Sequence, residues 1–92
     1  MKHNGVNLYA EYGKYRNGQN SIQLFDAEDQ MPYAVASVAI DEPLEPDEVA
    51  VKDYSENEGI LKTLLKSGVV DHPHREVSTG YVRIPICKIK RP

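Results

Sequence analysis

The sequence predicts an α+β domain: a mostly antiparallel sheet of about five strands, in the order β-β-β-β-α-β, with one covering helix near residues 56–67. Three observations carry that prediction. Residues 6–12 alternate with period two, Val6, Leu8, Ala10 and Tyr12 against Asn7, Tyr9 and Glu11. One stretch, after Ser55, places apolar residues at helical spacing: Ile60, Leu61, Leu64 and Leu65. The chain has 92 residues, 40% hydrophobic and 27% charged, which suits one compact domain spanning residues 1–92 and is too short for a barrel enzyme or a second core.

The elements follow in order. Residues 1–4 are read as a flexible lead-in. The first strand runs from Val6 and continues past Gly13 toward Arg16. Asn17-Gly18-Gln19-Asn20 supplies residues that tolerate positive φ and predicts a hairpin turn. Residues 21–25 form the second strand, with Ile22 and Leu24 on one face. Residues 26–32 are polar and end in Pro32, which is turn chemistry. Residues 33–40 are apolar but small, with Ala34, Ala36, Ser37 and Ala39, and read as a central strand covered on both faces. Residues 41–48 contain Pro43 and Pro46 and read as a loop. Residues 49–54 are a short fourth strand.

Ser55-Glu56-Asn57-Glu58 fits a capping box, in which the serine accepts from an orphan N–H and Glu58 reaches back. Lys62 and Lys66 complement the helix dipole, and Gly68 provides the left-handed stop. Residues 71–79 are read as a connection to Gly80. Residues 81–89 form the last strand, and Pro85 within it argues for an edge or a bulge. Residues 88–92 are a basic tail.

No apolar run approaches a membrane span of about 20 residues. The N-terminus lacks a signal-peptide core. Cys87, the single cysteine, allows no internal disulfide. The expectation is a cytoplasmic protein.

The run Lys52-Asp53-Tyr54-Ser55-Glu56-Asn57-Glu58-Gly59 is the most specific stretch. Together with Gln23–Asp29, Ser67-Gly68-Val69-Val70, Gly80-Tyr81-Val82 and Ile86-Cys87, it resembles a family of small uncharacterised accessory proteins of bacteria, phages and plasmids. The resemblance spans roughly residues 15–89. It implies a mobile-element setting and no particular activity. The loop Asp71-His72-Pro73-His74 and the basic tail depart from it.

Charge layout is the strongest pointer to function. Between Asp26 and Glu58 stand eleven acids (Asp26, Glu28, Asp29, Asp41, Glu42, Glu45, Asp47, Glu48, Asp53, Glu56 and Glu58) and one base, Lys52, for a charge of −10; the remainder carries +7. If residues 26–32 and 41–48 lie at the same end of the sheet, they form one acidic face that attracts basic surfaces. The expected partner-binding residues are Asp26, Glu28, Asp29, Glu42, Glu45, Asp47 and Glu48. The expected function is a non-enzymatic interaction protein that binds a host protein, for example as an anti-defence inhibitor or nucleic-acid mimic filling a basic groove. The structural alternative is that acidic loops keep a small protein soluble.

A second functional class is a nucleic-acid-binding module. It would use Tyr9, Tyr12 and Tyr15 with Lys14, Arg16, Lys88, Lys90 and Arg91, although the net charge of −3 opposes it. His72, His74 and Cys87 are the one possible metal set, without CxxC or HExxH spacing, so neither metal nor cofactor is expected. No phosphate-binding glycine pattern occurs. Homodimerisation through an edge within residues 81–86 is a further expectation.

Overall fold

The computed structural model describes residues 1–90. Its strands are β1 (Lys2–His3), β2 (Val6–Lys14), β3 (Asn20–Asp26), β4 (Pro32–Val35), β5 (Glu48–Ala50), β6 (Arg75–Thr79) and β7 (Val82–Lys88); a 3₁₀ turn (Ser55–Asn57) and helix α1 (Ile60–Lys66) stand between β5 and β6. The class is α+β as expected. The strands, however, form two antiparallel sheets rather than one, ordered β1-β2-β3-β4 and β5-β7-β6.

The β2–β3 hairpin is the backbone of the first sheet. It pairs Leu8 with Asp26 at one end and Lys14 with Asn20 at the other. Its turn closes through the Gly18 N–H to the Tyr15 carbonyl, with Gly18 at φ +87°. The alternation seen in the sequence sends Leu8, Ile22 and Leu24 into the core, each at most 3% exposed. Complete burial of a side chain such as Leu24 contributes about 2 kcal/mol. Residues 1–4 are not a flexible lead-in. Lys2 pairs with Asn7 and His3 with Val6, and the Met1 ammonium donates to the Leu8 carbonyl.

Residues 33–40 do not form a central strand. Only Pro32–Val35 is strand, and it lies at the edge of the first sheet. The chain then crosses between sheets. The Ala36 N–H donates to Ile22 of β3, while the Val38 N–H donates to Ala50 of β5 and the Lys52 N–H to Ala36. Ser37 joins both sides: its hydroxyl accepts from the Ile22 N–H and contacts the Tyr15 hydroxyl, and its backbone bridges to Val51. The small residues that suggested a strand covered on both faces serve this crossing, where Ala36 is fully buried.

The second sheet is covered on both faces. Val49, Val51 and Cys87 join Leu8, Ile22, Leu24, Ile60, Leu64, Val69 and Val70 in the larger core, while Ala50, Val77, Ile84 and Ile86 pack beneath Val38, Ile40, Leu44 and Tyr54 in a smaller one. β7 is the middle strand, so Pro85 does not mark an edge. It is tolerated because β5 has ended there: Ala50 pairs with Ile86, and beyond it Pro85 serves only as an acceptor, from the Val51 N–H.

The helical segment is split. Ser55 sits at φ +58° and makes no side-chain cap, and Gly59 at φ +94° separates the 3₁₀ turn from α1. The capping box is therefore absent. Its place is taken by Asp53, whose Oδ1 accepts from the Gly59 and Leu61 N–H groups. The stop is as expected. Gly68, at φ +72°, donates to the Leu65 carbonyl and Val69 to the Leu64 carbonyl. The basic tail is ordered as far as described: Ile89 bridges to Val70, and the Lys90 N–H donates to Val69. Arg91 and Pro92 lie outside the described residues.

Candidate interaction site

The two acidic segments lie at opposite ends of the β2–β3 hairpin. Residues 41–48 fold over the turn at residues 15–19. Gln19 donates to the Ile40 and Glu42 carbonyls, Asn17 donates to Ile40, and the Asn20 amide donates to Pro46 and Glu48 at 2.8 Å each. Residues 26–31 close the other end, next to the Leu8–Asp26 pair. No single acidic face joins them, because the length of β3 separates them.

Their electrostatic states also differ. Glu48 is 3% exposed, which removes it from the expected partner-binding set. Arg75 donates to both its carboxylate oxygens, His74 contacts Oε2 and the Glu45 N–H donates to Oε1 at 2.8 Å. The Arg75 guanidinium above all, opposed by burial and helped by the Glu45 N–H and His74, lowers the Glu48 carboxyl to about 2. Arg75 also approaches Glu42 at 3.7 Å, and Lys88 approaches Asp47 at 3.9 Å. Glu45 and Asp41 are exposed on the same loop. Much of this loop's negative charge is answered inside the molecule.

The 26–31 turn is different. Asp26 Oδ1 accepts from the Glu28 N–H and Asp29 Oδ1 from the Met31 N–H, both at about the same length, 2.8 and 2.9 Å. These bonds shape the turn, whose left-handed residue is Gln30 at φ +62°. Among the described residues no Lys, Arg or His forms an ion pair with Asp26, Glu28 or Asp29. Glu28 and Asp29 are exposed.

The turn leads directly into β4 and a cleft of about 390 Å³ lined by His3, Tyr33, Ala34, Lys52, Glu56 and Asn57, among others. The polar run at residues 52–59, singled out in the sequence, forms one wall of it. Asn57 donates to the Val35 carbonyl at 2.6 Å and fastens that wall to β4. Lys52 pairs with Glu56 at 2.5 Å, which lowers the Glu56 carboxyl to about 2 and raises the Lys52 ammonium. His3 Nδ1 meets the Thr63 hydroxyl at 2.7 Å, and its ring stands edge-on to Tyr33 with centroids 6.2 Å apart. Nothing local marks His3, since what buries it is the pairing of β1 with β2 and the approach of α1.

The residues of the nucleic-acid alternative do not share one face: Lys14 and Lys88 both reach the 46–47 segment, but the tyrosines are divided. Tyr9 lies on the outer face of β2, stacked on Phe25 with centroids 5.4 Å apart, whereas Tyr12 is half-buried on the core side. Tyr15 is tied to Ser37, Lys14 to Asn20, Lys88 to Asp47 and Lys90 to Asp71. The metal set is likewise dispersed. His74 is held by Glu48, His72 is exposed, and Cys87 is buried with its thiol pushed up to about 12, chiefly by burial. Among the described residues no group of three or more His, Cys, Asp or Glu is arranged to hold a metal ion, and no helix is long and apolar enough to cross a membrane.

No protein-family model, curated protein or solved structure matches this chain.

Proposed function

We propose that this protein is a non-enzymatic interaction protein that offers the acidic β3–β4 turn, with Asp26, Glu28 and Asp29, to a basic patch on a partner protein. The observation that carries the reading is the unequal pairing of the acids. Among the described residues the carboxylates of Asp26, Glu28 and Asp29 form no ion pair, and Glu28 and Asp29 are exposed, while Glu42, Asp47 and Glu48 of the 41–48 loop are engaged by Arg75, His74 and Lys88. Unanswered charge keeps its field outside the protein and steers a basic partner toward it. The neighbouring cleft adds the Tyr33 ring, while its Glu56 is already paired with Lys52. A long nucleic-acid mimic would need a continuous row of acids, so a local contact on a host protein is favoured.

The test is affinity capture from a bacterial lysate at about 0.15 M salt, where exposed charges still act over about 8 Å. The bait carrying Glu28→Lys and Asp29→Lys loses the partner that the unaltered protein retains. A second bait, Glu42→Lys with Glu45→Lys, keeps it. Retention of the same partner by the first bait at full strength would sink the reading.

A further inference from the structure

Two sheets present four outer strands, and three of them are blunted. β1 has two residues. β4 begins at Pro32, carries a bulge that leaves Tyr33 without a partner in the register, and has its Val35 carbonyl taken by Asn57. β5 is covered by the crossing segment through the Val38 N–H to Ala50, and by Asn20 on the Glu48 carbonyl. These are standard means of preventing a sheet edge from pairing with another chain. β6 has none of them. It is five residues long, contains no proline or lysine, and pairs with β7 in unbroken register from Arg75–Ile86 to Thr79–Val82. The 42–48 loop reaches only its first residue, through Arg75.

The register also fixes which amides are open. Gly80 and Tyr81 form a two-residue loop, with Gly80 at φ +56°, so the closing pair Thr79–Val82 is hydrogen-bonded. Alternation then turns Thr79, Val77 and Arg75 toward β7, and the amide groups of Glu76 and Ser78 outward.

We infer that β6 is a homodimer interface, which a second copy of this chain joins antiparallel about a two-fold axis at Val77. That register places Glu76 opposite the partner's Ser78, each such pair exchanging both N–H to carbonyl bonds, and Arg75 opposite the partner's Thr79. No like charges face each other. Ser78 is paired with Arg83 across the hairpin. Arg83, Ser78 and the partner's Glu76 therefore form a row on one face, and the short serine lets the guanidinium reach the carboxylate. Within one chain Arg83 already approaches Glu76 at 3.7 Å, with both side chains largely exposed. The two three-stranded sheets become one continuous sheet ordered β5-β7-β6-β6-β7-β5. This surface is separate from the β3–β4 turn, so the two inferences stand or fall independently.

Sedimentation from about 1 µM to about 1 mM protein tests it. The expected mass rises from 10.4 kDa toward twice that value. Ser78→Pro removes an outward N–H and no bond to β7, so it holds the mass at 10.4 kDa with unchanged circular dichroism. Arg83→Glu weakens association at least about tenfold. Should Ser78→Pro fail to fold, hydrogen exchange of the unaltered protein decides, since the Glu76 and Ser78 amides then slow as concentration rises. A mass fixed at 10.4 kDa throughout, exchange independent of concentration, or a dimer indifferent to a folded Ser78→Pro variant overturns the inference.

Discussion

At one end of the β2–β3 hairpin, the 41–48 loop is held down by Gln19, Asn17 and Asn20 and sends Glu48 inward to Arg75 and His74. At the other end, the 26–31 turn holds itself by two local side-chain bonds and leaves Glu28 and Asp29 exposed. Both segments are acidic, one adjoins Pro32 and the other contains Pro43 and Pro46, and both look like solvated loops in the sequence. The difference lies in partners more than twenty residues away. An acid count locates charge along the chain, but only the fold decides whether that charge is spent on the interior or offered outside.

The two acidic segments differ most at Glu48. Glu48→Ala leaves Arg75 beside a buried vacancy and the Glu45 N–H unanswered. It should cost about 2 kcal/mol in urea unfolding, less than a fully buried pair, because Arg75 is 38% exposed and can turn to water. Acid titration gives a related readout. Because the folded Glu48 carboxyl lies near 2 against an ordinary 4.5, its stabilisation is complete above about 4.5 and is lost as pH falls toward 2. Glu48→Gln should flatten that acid limb of the stability curve.

Asn20→Ala removes both donors that clamp residues 46 and 48, and should cost about 2 kcal/mol. Asp53→Ala uncaps α1 and should cost about 1 kcal/mol, whereas Ser55→Ala should cost less than half of that, because Asp53 rather than Ser55 carries the cap. Glu28→Lys should stay within about 0.5 kcal/mol of the unaltered protein. If Glu28→Lys destabilised as much as Glu48→Ala, the two acidic segments would not differ in the way described.

The fold is legible in the sequence where local physics decides. The alternation through residues 6–12, the Asn17-Gly18 turn, the 26–32 turn and the Gly68 stop all depend on neighbouring residues, and all are present. Features that depend on distant partners are not legible locally. Pro85 suggests an edge until the end of β5 supplies its reason for sitting in a middle strand. The small residues of 34–39 suggest a central strand because a crossing between sheets has the same demand for bulk-free side chains. β6 lacks a strand pattern because Arg75, Glu76, Ser78 and Thr79 leave Val77 as its one buried residue. Of the seven acids expected to bind a partner, Asp26, Glu28 and Asp29 remain together, Glu42 and Asp47 are within reach of cations, Glu45 is exposed beside them, and Glu48 is interior.

Ser37 has a kinetic consequence. Its hydroxyl serves Ile22 and Tyr15 while its backbone serves Val51, so neither sheet can open at that point without disturbing the other. The stitches span large sequence separations, so closing them demands long loops early, and folding belongs to the slower range set by non-local contacts. A chain re-threaded to begin and end at residues 80 and 81, where Tyr81 is wholly exposed, should still assemble. One re-threaded to begin and end at residues 37 and 38 would lose the knot that makes two small sheets a single cooperative unit.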